Sequence, residues 1–253
     1  MTDASLAARF TESEFRVGRV LNRTSSVLSR NFLIFFVVTA VAQLPTLLFY
    51  RTETVSPNAS GTEIAVMVAL AIGGAVLMVV LSMLSQAIVL YGAFQNMRGR
   101  EVSLAESLQV GLGRFFPILG MAFLVSLLAG LAILAFIVPG LMLATMWFVA
   151  APACVVEKLG PWASMRRSRE LTKGHRWKIF GLMIVLLLIN GVAGSTITAA
   201  LTAMGGSPLA MIGSVLWGGA FGAFSAIAVV VTYHDLRAAK EGIDIDQIAA
   251  VFD

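Results

Sequence analysis

Six stretches of this chain, roughly 32–50, 64–92, 117–137, 139–156, 178–202 and 209–233, are long and apolar enough to cross a bilayer. About 20 such residues span a hydrocarbon core of about 30 Å. Backbone groups in lipid must find their hydrogen-bond partners within the segment, so runs of this kind read as helices. The expected fold is therefore all-α, a polytopic membrane protein with six transmembrane helices. Charged residues make up only 13% of the 253, against about 25% in an ordinary soluble chain, and the mean hydropathy is +0.88. These values exclude a soluble globular domain and a disordered chain. The single cysteine, Cys154, excludes a disulfide scaffold, and no basic face of the kind that binds nucleic acid is left over.

The third and fourth runs are nearly continuous from Phe116 to Val156, and Pro139-Gly140 is expected to divide them into a hairpin. The second stays helix-compatible as far as Met97 and should project beyond the bilayer. Of the 18 Lys and Arg, 17 fall in the leader, in 93–116, in 157–178 and in the tail, which leaves Arg51 alone for the opposite side. Cytoplasmic loops retain basic residues, so both termini are expected in the cytoplasm, in a multi-pass protein of the bacterial inner membrane. The division is then a leader over 1–31, a membrane domain over 32–237 and a tail over 238–253. The leader is polar and amphipathic, unlike a cleavable signal, and is expected to remain. Asn58-Ala59-Ser60 has the form of a glycosylation sequon and is taken as chance.

Each odd-numbered span follows an amphipathic, partly basic segment, expected to lie as a cytoplasmic interfacial helix. In the first, Phe15, Val17, Val20, Leu21, Val27 and Leu28 recur at helical spacing. In the second, Ser103 to Glu106 has the form of a capping box, and Leu104, Leu108 and Leu112 share one face. In the third, Pro161 starts a helix that places Trp162, Met165 and Leu171 on one side. The unit could be an interfacial helix plus a hairpin repeated three times about an axis along the membrane normal.

Chemistry-bearing residues are sparse. No Asp, Glu, Lys, Arg or His lies in the middle of a run, where ionisable groups mark ion or proton paths. The polar residues within the runs, Gln43, Gln86, Ser126, Asn190 and Ser214 among them, are read as interhelical hydrogen-bonding groups. Neither Walker-type nor GxSxG motifs occur. His234-Asp235 beside Tyr233 is read as polar tips at the end of the last span, with neighbouring side chains pointing apart. No catalytic residue, cofactor or metal is assigned. Arg166, Arg167, Lys173 and Arg176, beside Trp162 and Trp177, are expected to contact lipid headgroups, anionic ones in particular. Gly191, Gly218 and Gly222 are expected to form helix-packing faces through small-xxx-small spacings. Ala228, about 240° around the helix from Gly222, is expected to meet lipid.

The run Ile137-Val138-Pro139-Gly140, then Trp147 to Pro152, Val156-Glu157 and Arg167 to Gly174, together with Tyr233 to Arg237 and Lys240 to Gly242, carries a family resemblance. It resembles the membrane domain of bacterial glycerophosphoryl diester phosphodiesterases and stand-alone inner-membrane proteins related to it. The resemblance implies a six-helix membrane domain without phosphodiesterase activity, because that activity belongs to a separate soluble barrel. Two functions are expected to compete. One is a non-enzymatic scaffold or accessory protein in lipid handling, partnered by membrane lipids and by a second copy or another membrane protein. The other is a carrier for an amphiphile, with Gln43, Gln86 and Asn190 converging on a midplane cavity.

Overall fold

A computed structural model of the chain describes residues 15–47 and 60–241. Arg51 and the Asn58-Ala59 half of the sequon lie outside the described residues, as do the first fourteen residues and the tail from 242. Among the described residues the chain is helical, with no strand: α1 (Val17–Arg30), α2 (Phe32–Gln43), α3 (Gly61–Met97), α4 (Leu104–Gly113), α5 (Phe115–Ala135), α6 (Ile137–Met146), α7 (Ala150–Val156), α8 (Pro161–Thr172), α9 (Arg176–Leu188), a π-helical turn (Ile189–Ala193) and α10 (Gly194–Glu241). Among the described residues, four helical stretches are long and apolar enough to cross a membrane: Gly61–Met97, Phe115–Ala135, Ile137–Val156 and Arg176–Glu241. The pair α1–α2 passes the same test together, although bent by 93°. Side chains such as Val66, Leu70, Ile72 and Val76 of α3 point away from the protein. A stripe this long and apolar is stable against acyl chains and costly in water.

Three sharp corners organise the fold. Asn31 (φ −133°, ψ 35°), Arg114 (φ −109°, ψ 4°) and His175 (φ −118°, ψ 7°) each end a short amphipathic helix and start an apolar one. In each, the corner amide donates back into the preceding turn, to Leu28, Val110 and Thr172 among others. The corner carbonyl then accepts from Phe35, Ile118 and Ile179, respectively, at 3.0–3.2 Å. The turn therefore loses little hydrogen bonding at the bend. The seventh residue before each corner is a small hydroxyl, Thr24, Ser107 and Ser168, and all three are buried. The second residue after each corner, Leu33, Phe116 and Trp177, is 71%, 79% and 85% exposed.

Several local expectations change. The break between α5 and α6 is at Phe136, which is extended (φ −156°, ψ 128°), and Pro139 sits in the first turn of α6. There its missing N–H costs nothing, since the first amides of a helix have no partner within it. Gly140 has the tighter constraint, because a Cβ on it would lie 2.6 Å from the Ile133 amide. The fourth run is interrupted between Met146 and Ala150. The buried C-terminal end of α6 is capped by α8, whose Ser168 and Thr172 hydroxyls donate to the Met146 carbonyl at 2.9 and 3.2 Å. At Ser103 the capping box is only half made. Its hydroxyl accepts from the Glu106 amide at 3.4 Å, while the Glu106 carboxylate turns to Tyr91 instead. The Leu104, Leu108 and Leu112 face points outward, with Ser107 and Gly111 packed inward. Trp162 is exposed, whereas Met165 and Leu171 are buried, because Leu171 lies half a turn away from Trp162 on α8.

α10 breaks at Gly205 and Gly206, and the positive φ of Gly206 (72°) is a conformation that side-chain-bearing residues rarely adopt. Its second arm packs against α2. The closest approach is at Gly219, where a Cβ would lie 2.9 Å from Ala40 Cβ and 3.0 Å from Ala40 Cα. Thr39 Oγ1 donates to the Gly219 carbonyl at 2.6 Å, a contact available only at this separation and worth about 1 kcal/mol. Below Gly219 the same arm buries Ala223, Ile227, Val230, Val231 and Tyr233 completely. Ala228 is also fully buried, contrary to the lipid-facing position expected from its angle to Gly222. The helix is covered on more than one side at this level, because α1 and α3 also pack on α10.

Candidate functional site

The polar side chains collect at the end of the bundle that carries the three corners. There each amphipathic helix is fastened to the end of an apolar one through the eighth residue before its corner. In α1 that residue is Arg23, whose Nη1 donates to Asp235 Oδ1 at 2.9 Å. In α4 it is Glu106, which accepts from the Tyr91 hydroxyl at 2.6 Å and from Gln95 Nε2 at 3.3 Å. In α8 it is Arg167, whose Nε donates to both carboxylate oxygens of Glu157, at 2.9 and 3.0 Å. Arg167 Nη2 also donates to Glu241, and Arg237 Nε donates to the other Glu241 oxygen at 2.7 Å. The buried Tyr233 hydroxyl donates to Glu157 Oε1 at 2.6 Å. Two guanidiniums thus neutralise two carboxylates around one phenol. Burial pulls the Arg167 guanidinium down, but its bonds to Glu241 and Glu157 outweigh that and hold it above its ordinary value.

The four basic residues expected at lipid headgroups separate into two groups. Arg167 is 22% exposed and committed to the clamp just described. Arg166 is 79% exposed and paired only with Glu170, at 3.5 Å. Lys173 is exposed and Arg176 half-buried, and neither makes an ion pair within the described residues. Nothing in the spacing of Arg166 and Arg167 distinguishes them. The separation comes from Glu157 and Glu241, which are distant in sequence and meet α8 only in the fold. His234 and Asp235 are also brought together, since Arg23 Nη1 lies 3.5 Å from His234 Nδ1 as well as on Asp235. Both side chains face α1 rather than pointing apart.

The glycines differ in how closely they approach a neighbour. Gly191 meets nothing within 4 Å, and the close approach in that segment is Gly194, whose Cβ would lie 3.0 Å from Trp217 Nε1. A Cβ on Gly218 would lie 3.2 Å from the Gln43 amide, and one on Gly222 would make only ordinary contacts with Thr39, at 3.7 and 3.8 Å, so both glycines face α2. Gly219, inside the same motif, is the packing residue that the four-residue spacing passes over. Gln43, Gln86 and Asn190 do not converge. Gln86 is exposed, and Asn190 accepts from Trp217 Nε1 at 3.1 Å. Beside Trp217 lies a shallow, open apolar groove lined by Phe36, Ile197, Leu201, Leu216 and Ala220. Among the described residues no group of His, Cys, Asp and Glu is placed to hold a metal ion.

The family model described as "Domain of unknown function (DUF7847)" matches residues 15–236, and the chain belongs to that family. No curated protein and no solved structure matches the chain.

Proposed function

We propose that this DUF7847 chain is a non-enzymatic protein of the bacterial cytoplasmic membrane that serves as a scaffold or accessory protein in lipid handling. It crosses six times, with both termini in the cytoplasm. The passages are α2 with residues 44–47, α3, α5, α6–α7, α9 with the first arm of α10, and the second arm of α10. The three corners, each preceded by a buried hydroxyl and an eighth-residue clamp, support a threefold repeat. The clamps run in a ring: α4 to the end of α3, α8 to the end of α7, and α1 to the end of α10. The observation that carries the reading is this one-sided arrangement. Arg23 with Asp235, and Arg167 with Glu157 and Glu241, pair at the corner end, while the long helices present apolar side chains outward. The likeness to phosphodiesterase membrane domains belongs to the same proposal and brings no hydrolytic activity with it.

Topology mapping tests the frame. In a Cys154→Ala background, single cysteines at Ser60 and Ser207 should label from outside, and those at Arg100 and Lys173 only from inside. A periplasmic 160–175 segment would overturn it. Purification in native lipid tests the role, because a scaffold should retain a stoichiometric protein partner or a second copy. The second reading, a carrier for an amphiphile, is favoured by the apolar groove beside Trp217. Under that reading a bound amphiphile should co-purify and be lost on Ala220→Trp.

A further inference from the structure

At equivalent places around the three corners, the third has a different chemistry. Two residues before the corner stand Ser29, Leu112 and Lys173, and one residue after it stand Phe32, Phe115 and Arg176. Two of the three corners therefore make the same turn without a cation at either of these positions, so the fold does not require Lys173 or Arg176. Neither cation has an ion-pair partner within the described residues, and Arg176 Nε is buried without any hydrogen bond. Leaving such a donor unmet costs free energy that a ligand oxygen would recover. Lys240 joins them from the end of α10 by donating to the Glu170 carbonyl. That contact lies three residues before Lys173 and so brings the three cations to one corner, and burial with the charges of Lys173 and Arg176 pulls the Lys240 ammonium below its ordinary value against the opposing charge of Glu170. Glu170, the carboxylate that acts on Lys240, is paired with Arg166. Trp177 projects beside them at the level where Leu33 and Phe116 project from the other corners, the position an interfacial aromatic takes at the headgroups.

We propose that Lys173, Arg176 and Lys240, flanked by Trp177, form a seat for the phosphate of an anionic phospholipid in the leaflet that meets the corners. This deepens the lipid-handling reading above and rests on it. Charge complementarity selects the occupant, since three cations that make no ion pair among the described residues, with Glu170 the one carboxylate acting on Lys240 against them, attract an acidic headgroup at a membrane surface. The indole fixes the depth of the seat at the polar boundary. Arg167 takes no part, because its guanidinium is already occupied.

The test uses the intact protein in nanodiscs of zwitterionic lipid doped with phosphatidylglycerol, with native mass spectrometry counting retained anionic lipid. Each basic residue near an anionic surface changes affinity about fivefold. The triple variant Lys173→Gln, Arg176→Gln, Lys240→Gln should therefore lose about a hundredfold in affinity for the tightest-bound lipid. An equal removal of charge, Arg30→Gln, Arg98→Gln, Arg100→Gln, should change it little. The double variant Lys173→Gln, Lys240→Gln, at two exposed positions, gives an intermediate loss even where the triple variant folds poorly. Equal losses in the test and control variants would overturn the seat while leaving the lipid-handling role standing. Displacement of the bound lipid by millimolar inorganic phosphate would also overturn it, because the cluster would then be a small-anion site. Trp177 emission should shift to the blue on adding phosphatidylglycerol to the wild type but not to the triple variant.

Discussion

Replacing Gly219 by alanine adds one methyl group at the closest contact between α2 and α10. That carbon would stand 2.9 Å from Ala40 Cβ, 3.0 Å from Ala40 Cα and 3.1 Å from its amide nitrogen, against an optimum near 3.5–4.0 Å for carbon pairs. The obstructing atoms are largely backbone, so relief requires the two helices to separate by roughly 0.5–1 Å. A gap of that size forfeits about a quarter to a half of each affected dispersion contact. It also stretches the 2.6 Å bond from Thr39 to the Gly219 carbonyl, worth about 1 kcal/mol. Overpacking of this kind costs about 1–3 kcal/mol, and the gain of roughly 1 kcal/mol from alanine's helix propensity opposes it. The expected net loss is about 0–2 kcal/mol. Gly222→Ala, three residues further along, gains the same propensity and places its methyl at 3.7–3.8 Å from Thr39, so it should be neutral or stabilising. Thermal unfolding of both variants in one mild detergent, followed by tryptophan emission, measures the difference. A Gly222→Ala midpoint at or below that of Gly219→Ala would refute the contact as the one that sets the helix separation.

Reversing the charges of the α1 clamp, Arg23→Asp with Asp235→Arg, should recover most of the stability that either single change loses, measured as a double-mutant cycle on unfolding midpoints. Additive losses would mean the pair contributes nothing to holding α1. For pH, burial would raise the Glu241 carboxyl, but Arg167 and Arg237 outweigh it and hold the group below its ordinary value. A depressed carboxylate contributes its full stability above its unfolded value, near 4.5, and loses it as pH falls through the folded value. The unfolding midpoint should therefore be flat in this respect above about pH 5 and decline below it, with a shallower decline in Glu241→Gln. Asn190→Leu leaves Trp217 Nε1 without its acceptor and should cost about 0.6–1.7 kcal/mol, with a shift in tryptophan emission. An unchanged spectrum would show that the indole is not held there.

The helices were legible because lipid admits few alternatives. Runs of apolar residues bounded by basic ones define α3 and α5 to within a few residues, and Pro161 marks the start of α8. The breaks were less legible. Phe136, rather than Pro139, divides α5 from α6, since a proline is tolerated in a first helical turn and its neighbours absorb the bend. Facing residues were the hardest to read. Four-residue spacing nominates Gly218 and Gly222, while the helix crossing selects Gly219. Rotation around one helix places Ala228 in lipid only if a single side of that helix is covered, and here more than one is. The basic segment 166–178 read as one surface, yet Glu157 and Glu241 withdraw Arg167 from it.

The two ends of the protein solve different energetic problems. Within the apolar part, no hydrophobic force drives one helix onto another, since acyl chains are as apolar as leucine. Separation there is set by what small residues permit, and α2 meets α10 at Gly219 and Ala40 with one hydroxyl-to-carbonyl bond between them. At the corner end, water and headgroups compete for every polar group, so only partly buried, multiply bonded pairs hold reliably. That is where Arg167 joins α8 to the ends of α7 and α10, and where Arg23 joins α1 to the end of α10. Substitutions at the small-residue contacts should therefore alter the helix spacing and the melting midpoint with little dependence on salt. Substitutions in the clamps should loosen the amphipathic helices first and do so more as ionic strength rises.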